Sequence, residues 1–263
     1  MNNMKAQIIL FASAVLMVCS CQKENPAEVS TAKNSIVATI EEDTKTTVDG
    51  TDVTWKEDDQ ITIAYGTSSA NYKKYQLVNT YAGKKEGVFE GEEISYTGDC
   101  YAAYPFVTPG YRSGVKFEFT TPATQNAAQN VGEYMQMYST PFKMGDKVKF
   151  HHLNCALKVT INPSSETTIS RIEVRNTTGT DYPSKGYTIT NGALEGMAKS
   201  SQLVTLNINE TISGSKDYYI ALAPKAKDIK WQITVYYGTS LSKQATTTKL
   251  LEAGKLYTGS FNL

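Results

Sequence analysis

The sequence has little of what most enzymes and nucleic-acid-binding proteins use. Its 263 residues contain only two histidines, and the 26 Lys and Arg residues are balanced by 26 Asp and Glu residues. A chain without net charge has no long-range field that attracts nucleic acid, anionic lipid or an acidic substrate, so no nucleic-acid partner is expected. Long runs of Ala, Leu, Glu and Lys are also missing, whereas the 17 Tyr and 18 Gly residues favour strands and turns. An all-β protein is therefore predicted.

Motifs for catalysis and cofactor binding are missing as well. The patterns G-x-S-x-G, H-E-x-x-H, G-x-G-x-x-G and the P-loop do not occur. His151 and His152 are adjacent, so on a strand they point to opposite faces and cannot hold one metal ion together. We therefore predict no catalytic residue, no metal and no cofactor. A hydrolase with paired carboxylates stays an alternative, although no spacing singles out a pair.

Two groups of residues have both a binding and a structural interpretation. Glu57, Asp58 and Asp59 carry the oxygen ligands that calcium prefers, but three consecutive acids at a turn are usually solvated. Aromatic residues in YAAYPF and DYY would form a stacking platform for sugars, although aromatics in β-proteins are more often packing residues. These are Tyr101, Tyr104, Phe106, Tyr218 and Tyr219. The structural interpretation is favoured for both groups.

The N-terminus has the pattern of an export signal. Lys5 is followed by the apolar stretch 8–18 and by small residues around Ser20. An apolar run of this length is too short to cross a bilayer, so we do not predict a membrane-spanning helix here.

The letters VCSC at 18–21 resemble the lipobox of bacterial lipoproteins, which is cleaved before the second cysteine. We predict a signal peptide over 1–20, cleavage between Ser20 and Cys21, and lipidation of Cys21. The acyl chains that a lipobox implies, palmitate among them, would hold the protein at the outer membrane, facing the cell surface. The polar stretch 21–35 has no apolar period and is predicted to be a flexible tether.

Two cysteines remain once the signal has been removed and Cys21 carries lipid. Cys100 and Cys155 each lie in an apolar, strand-like context. Export makes a disulfide between them chemically permissible, but two free buried thiols fit the same contexts. Both alternatives stay open at this point.

Short runs of alternating polarity fill the chain from Ile36 onward, as in sandwiches and barrels. In DIKWQITVYYG, Trp231 and Val235 fall on one face, and ALKVTI and QITIAY alternate in the same way. Further strands are predicted at 36–41, 86–90, 100–104, 115–119, 147–152, 169–175, 186–190, 203–208, 217–222, 245–251 and 255–262. Asp49-Gly50 and Asn191-Gly192 predict hairpin turns. Residues 122–138 predict a long loop or a brief helix.

About fifteen short strands are more than one simple sandwich needs, because seven to nine make an immunoglobulin-sized domain. A turn signal at 144–146 follows the long loop, and a new alternating strand begins there. We therefore predict two β-sandwich domains in tandem, over 36–145 and 146–263.

A series of motifs resembles the fimbrillin family of Gram-negative surface lipoproteins, the subunits of type V fimbriae. The likeness covers most of the mature chain in a shared order. The motifs are TKTTVDGTDVTWKEDDQITIAY at 44–65, GVFEG at 87–91, CYAAYP at 100–105, FHHLNCALKVTI at 150–161, GYTITNGALEG at 186–196, YYIALAP at 218–224 and LEAGKLYTGSFNL at 251–263. The resemblance implies two transthyretin-like β-sandwich domains and a role in polymer assembly, with other fimbrial subunits as partners and a host or bacterial surface ligand.

In this family a protease removes the N-terminal segment with its first strand, and a strand from a neighbouring subunit fills the vacated groove. An added strand satisfies a row of unpaired backbone groups and inserts alternate side chains into apolar pockets. The resemblance assigns the first strand to 36–40, with Val37 or its alternates inserted in the core. It assigns the donor strand to 256–263.

Two departures from the family pattern bear on processing. Arginine-specific processing needs an Arg after the first strand, but the first Arg in this chain is Arg112. Only Lys33 and Lys45 offer basic cleavage points nearby, so processing would use another protease or not occur, and an unprocessed lipoprotein would suit an anchor or accessory subunit. The chain also ends directly after its last strand pattern, which would either mark a terminal position in the polymer or make the last strand itself the donor. The alternative from another class is a glycan-binding surface lipoprotein that stacks exposed Tyr rings on sugars.

Overall fold

The computed structural model describes residues 35–40, 54–129, 131–179 and 181–263, with the side chain of Lys199 left out. These residues form eighteen strands and two short 3-10 helices, and they contain no α-helix. The all-β prediction is confirmed. The predicted signal peptide, nearly all of the predicted tether and the Asp49-Gly50 turn lie outside the described residues. Within the described ranges no helix has the length and apolar character needed to span a bilayer.

The first half of the chain contributes nine strands and both 3-10 helices. They are β1 (Ser35–Ile40), β2 (Gln60–Tyr65), β3 (Tyr72–Leu77), η1 (Asn79–Tyr81), β4 (Glu86–Gly91), β5 (Cys100–Tyr104), β6 (Lys116–Thr120), β7 (Thr124–Asn126), η2 (Val131–Tyr134), β8 (Met137–Ser139) and β9 (Val148–His152). The second half contributes nine longer strands. They are β10 (Cys155–Asn162), β11 (Thr167–Asn176), β12 (Ser184–Thr190), β13 (Ala193–Ser201), β14 (Leu203–Ile212), β15 (Lys216–Leu222), β16 (Trp231–Tyr237), β17 (Leu241–Thr247) and β18 (Leu256–Asn262).

Seven strands close into a barrel in the order β1-β4-β3-β2-β5-β8-β9. The closure depends on β1, which runs antiparallel to β4 on one side and parallel to β9 on the other. Inward side chains of these strands surround Trp55, which is 1% exposed. A closed sheet leaves no free edge while β1 is in place. The prediction of packed β-sheets is confirmed, with the difference that this sheet closes on itself.

Two open sheets form a sandwich, mostly from the second half of the chain, with β7 contributed by the first half. One has the order β15-β10-β18 and the other the order β17-β16-β11-β14-β7. Their inward residues form one core, which includes Val159, Ile172, Val204 and Trp231. The alternation predicted for β16 is confirmed at Trp231, Ile233 and Val235, all of which are buried. This is the usual way in which two half-buried sheets remove their apolar faces from water.

A third sheet, β13-β12-β6, covers part of the outside of the barrel. Phe117 and Tyr187 of this sheet share a buried cluster with Ala64 and Ala103 of the barrel strands. Ala64 is therefore buried on the face that simple alternation would leave in water. The turn between β12 and β13 has φ of 49° at Asn191 and 74° at Gly192, which is the conformation that Asn-Gly favours, so this hairpin prediction is confirmed.

Some elements differ from the sequence-based expectation. Four strands were not predicted, namely β3, β7, β8 and β13. β7 lies with η2 inside 122–138, and β8 begins there. The strand predicted at 245–251 lies at 241–247. The division at 145/146 stays a prediction. β9 follows that position and pairs with β8 and β1, while β6 precedes it and pairs with β12.

Candidate functional site

Strand β1 fills a slot between β4 and β9. Its side chains alternate, and Ile36, Ala38 and Ile40 are 0%, 0% and 4% exposed inside the barrel. Val37 lies on the opposite face and is half-buried. The sequence left open whether Val37 or its alternates fill the core, and in the structure the alternates Ile36, Ala38 and Ile40 do so. Burial of each isoleucine is worth about 1.5–3 kcal/mol, so an empty slot would be an unfavourable apolar groove with unpaired backbone groups on both sides.

The middle of this slot is tightly packed. Ala38 lies opposite Gly87 of β4 in the antiparallel register. A Cβ atom added at Gly87 would lie 2.6 Å from Cδ1 of Leu77 and 2.9 Å from Cδ1 of Trp55. The slot therefore accepts a large side chain at either end and only a small one in the middle.

An aromatic cluster around Trp55 forms the wall behind the slot. The indole makes edge-to-face contacts with Phe89, Tyr104 and Phe150, at centroid distances of 4.9, 5.5 and 5.5 Å. Backbone hydrogen bonds hold Trp55 in place, with its N–H donating to Lys84 and its carbonyl accepting from Gly83. Such aromatic pairs add about 0.5–1.5 kcal/mol each beyond their buried area. The cluster is a rigid wall against which a strand can pack.

The predicted donor strand, β18, lies at the edge of the sheet β15-β10-β18. It runs parallel to β10, and among the described strands it pairs with no other. Tyr257, Gly259 and Phe261 share its inward face, where Phe261 is buried and Tyr257 is half-buried. A Cβ atom added at Gly259 would meet nothing within 4 Å. The present surroundings of Gly259 therefore give no steric reason for a glycine.

An apolar groove of about 450 Å³ runs beside β18, where the edges of the two sandwich sheets separate. Trp231 and Ile233 line its wall on the side of one sheet, and Tyr257 and Phe261 on the side of the other. The Nζ of Lys243 on β17 donates to the backbone carbonyl of Asn262 across the opening. β18 is thus held mainly by its ladder with β10 and lies on the more open side of the sandwich.

The acidic run is part of a turn rather than a converging ligand set. Asp59 accepts a hydrogen bond from the backbone N–H of Lys56 at 2.7 Å and another from the Tyr104 hydroxyl at 2.9 Å. Burial raises the pKa of Asp59, and the hydrogen bond from Lys56 opposes this shift. Asp58 instead accepts from the side chain of Gln76. Among the described residues no three His, Cys, Asp or Glu side chains converge as a metal site.

The adjacent histidines differ in burial as their positions on one strand require. His152 is 8% exposed, whereas His151 is half-buried and its ring lies 5.7 Å from the ring of Tyr138, at an interplanar angle of 44°. The expectation of one inward and one outward histidine is confirmed.

The aromatic residues considered as a sugar platform do not form an open surface. Tyr104 and Tyr218 are 7% and 4% exposed and belong to two different cores. Tyr101, Phe106 and Tyr219 are half-buried. Their main role in the fold is packing, as aromatics in β-sheets usually do.

Cys100 and Cys155, the two cysteines among the described residues, are free thiols. Cys100 lies in the core of the barrel and Cys155 in the core of the sandwich. Burial raises the pKa of Cys100 to about 11 and that of Cys155 to about 12. Of the two alternatives open from the sequence, the structure has the free thiols.

These thiols should resist alkylation in the folded protein. An ordinary thiol of pKa about 8.5 is roughly one quarter thiolate at pH 8, whereas raised pKa values keep both groups neutral until the pH approaches 11. We expect the chain from Asn34 to Leu263 to react with Ellman's reagent at pH 8 by less than about a tenth of its thiol content, and fully after addition of guanidinium. Rapid labelling of the native chain would contradict the burial of Cys100 and Cys155.

The processing residues predicted from the sequence lie outside the described residues. They are Ser20, Cys21, Lys33 and Lys45. Because β1 begins at Ser35, a cut after Lys33 would leave this strand on the chain, whereas a cut after Lys45 would remove it.

The fold has relatives among solved structures. A proposed cell adhesion protein from Bacteroides uniformis ATCC 8492 superposes with a TM-score of 0.53 at 18% identity, over 87% of this chain and 93% of that chain. Another from Bacteroides ovatus ATCC 8483 gives a TM-score of 0.52 at 15% identity, over 87% and 91%. At these identities the likeness is one of fold. No family model matches the sequence, and no curated protein sequence matches it.

Proposed function

We propose that this protein is a non-catalytic cell-surface subunit of an adhesive fimbria, assembled by strand exchange. In this proposal the slot of β1 is vacated by cleavage and is filled by β18 of a neighbouring subunit. Cys21 carries the lipid that holds the protein at the outer membrane before or after assembly. The partners are other fimbrial subunits and, for adhesion, a ligand on a host or bacterial surface.

The position of β1 in the chain supports its removal. It precedes every other described strand, so a cut after Lys45 leaves the remaining strands on one continuous chain. Loss of β1 would expose the edges of β4 and β9 and open an apolar groove behind them. A groove with two unpaired edges is a strong acceptor for another strand.

The sizes of the inward side chains match between β1 and β18, and this is the observation that carries the proposal. β1 inserts Ile36, Ala38 and Ile40, which are large, small and large in order. β18 presents Tyr257, Gly259 and Phe261, which repeat that order with the same spacing of two residues. Because the slot is narrow in the middle, a donor strand needs its smallest residue there.

The known folds give independent support of a coarser kind. The two relatives in Bacteroides with TM-scores above 0.5 are proposed cell adhesion proteins, which favours an adhesive role at the cell surface. The buried state of Tyr104 and Tyr218 removes two rings from the alternative of sugar stacking. We therefore propose assembly rather than glycan binding by these rings.

The experiment compares two purified chains, 34–263 and 46–263. We expect the longer chain to stay monomeric and the shorter one to form concentration-dependent oligomers on size-exclusion chromatography, because only the shorter chain has an open slot. A peptide of residues 34–41 should suppress the oligomers by refilling the slot. The matched control is the same peptide with Ile36 and Ile40 both replaced by Asp, which should have no effect.

Two results would contradict strand exchange. One is a folded 46–263 chain that stays monomeric at high concentration and does not bind a peptide of residues 255–263. The other is suppression of oligomers by the Asp-substituted peptide, because that would locate the contact elsewhere. N-terminal sequencing of the protein from cells then reports whether the chain begins at Cys21, Asn34 or Thr46.

A further inference from the structure

A second cavity, of about 720 Å³, has no residue of β1 or β18 in its lining. Its walls come from Tyr138 and Leu153, from Asp181 and the strands β12 and β13, and from the segments 224–229 and 250–253. Pockets that bind small ligands usually have volumes of about 300–1,000 Å³. The size and the varied walls make this cavity a candidate binding site.

The rim of this cavity collects most of the exposed apolar side chains. Among the described residues five large apolar side chains are exposed, namely Tyr96, Leu194, Met197, Leu241 and Leu250. Leu194, Met197 and Leu250 all line the cavity. Their exposed fractions are 42%, 51% and 45%. A cluster of this kind at a concave surface marks a place where an apolar body is covered on binding.

Charged side chains line the part of the cavity that we call its floor, which consists of Asp181, Lys185 and Lys225. Lys225 is 1% exposed, and its ammonium donates to the carbonyls of Ala226 at 3.0 Å and Ile229 at 2.9 Å. Lys185 is 9% exposed, donates to the carbonyl of Pro224 at 2.8 Å and forms an ion pair with Asp181. Buried lysines are rare because each loses its hydration, so two at one floor call for a physical reason.

Each of the two buried ammonium groups has a carboxylate near it. Asp181 pairs with Lys185, and the charges of Asp181 and Asp228 both act on Lys225, while Glu252 in the lining pairs with Lys255. An ammonium has three donors, and the described contacts use two on each lysine. Burial lowers the pKa of Lys225 although the charges of Asp181 and Asp228 oppose this shift, so a further anion beside it would favour the charged form. A negative group at the floor would supply the missing solvation.

We propose that this cavity binds a small amphipathic molecule with an apolar body and a single anionic head group such as a carboxylate. The head group accepts hydrogen bonds from the ammonium groups of Lys185 and Lys225. The apolar body lies against Leu194, Met197 and Leu250, and this contact removes their side chains from water. This activity is separate from strand exchange, because none of these residues belongs to β1 or β18.

The test uses the full chain and two probes that differ only in the head group, decanoate and decan-1-ol, titrated by calorimetry. We expect decanoate to bind at least about tenfold more tightly than the alcohol, because only the carboxylate pairs with the floor. Met197→Glu should weaken decanoate binding by at least about tenfold, since it adds a negative charge to the apolar wall. Lys225→Met should remove most of the preference for decanoate.

The matched control is Leu241→Glu, which makes the same kind of change on β17, at a leucine that is 58% exposed and does not line the cavity. This variant should bind decanoate as the unchanged chain does. The proposal is overturned if decanoate does not bind at millimolar concentration, if the alcohol binds equally well, or if Leu241→Glu weakens binding as much as Met197→Glu. Circular dichroism establishes that each variant is folded, and the rim variant alone decides the outcome if Lys225→Met does not fold.

Discussion

Replacing Gly259 with valine should stop assembly while leaving the free subunit folded. In the sandwich, a Cβ atom at this position meets nothing within 4 Å, and valine has a higher strand propensity than glycine. In the slot of a neighbour the same residue takes the place of Ala38, which is fully buried opposite Gly87, so a branched side chain there would have to displace its neighbours. Overfilling a packed core by this much costs about 1–3 kcal/mol, which is about a fivefold to hundredfold loss of affinity.

The measurement pairs thermal melting of the 34–263 chain with oligomer formation by the 46–263 chain. Gly259→Val should leave the melting temperature unchanged or slightly higher, and it should raise the apparent dissociation constant of the oligomers by at least about fivefold. Thr258→Val is the matched control, because Thr258 neighbours Gly259 on the exposed face of β18. Normal assembly of Gly259→Val would show that β18 does not enter the slot in the register of β1.

Local patterning predicted much of this fold. β2 and β5 begin and end where the sequence places them, because each is a short, mostly apolar run that is followed by a turn residue, Gly66 after β2 and Pro105 after β5. β3 was missed because its letters YKKYQL carry two lysines, and only Tyr75 and Leu77 are buried. The closure of the barrel was not predictable either. It depends on the parallel pairing of β1 with β9, which joins segments more than a hundred residues apart.

The candidate sites were also only partly predictable from local patterning. The resemblance to fimbrillins predicted β1 as the first strand and β18 as the donor strand. The matching order of large, small and large side chains can be interpreted only when the packing at Gly87 is known. That order is nevertheless written in the sequence and would have been a usable signal. The charged cavity had no such signal, because Lys225 becomes a neighbour of Asp181 and Lys185 only where the segment after β15 packs against β12. Single lysines in a sequence are usually surface residues.

Replacing Trp55 with alanine should be the most destabilising single change in the barrel. The side chain is 1% exposed and contacts three other aromatic rings, so its removal leaves a large cavity in a closed sheet. Substitutions of buried Trp or Phe by Ala cost about 3–5 kcal/mol. We expect urea unfolding of the 34–263 chain to show a loss of this size in the free energy of unfolding.

Trp55→Phe separates ring packing from the polar part of the indole. The Nε1 group of Trp55 is buried and has no hydrogen-bond partner among the described residues. Phenylalanine keeps a ring against Phe89 and removes this unpaired donor, whose burial costs about 1–3 kcal/mol, so the lost volume is largely offset. We therefore expect Trp55→Phe to change stability by less than about 1.5 kcal/mol, against 3–5 kcal/mol for alanine. If the two variants lost the same free energy of unfolding, the exact shape of the indole ring would matter more to the barrel wall behind β1 than the apolar volume that a phenylalanine ring retains.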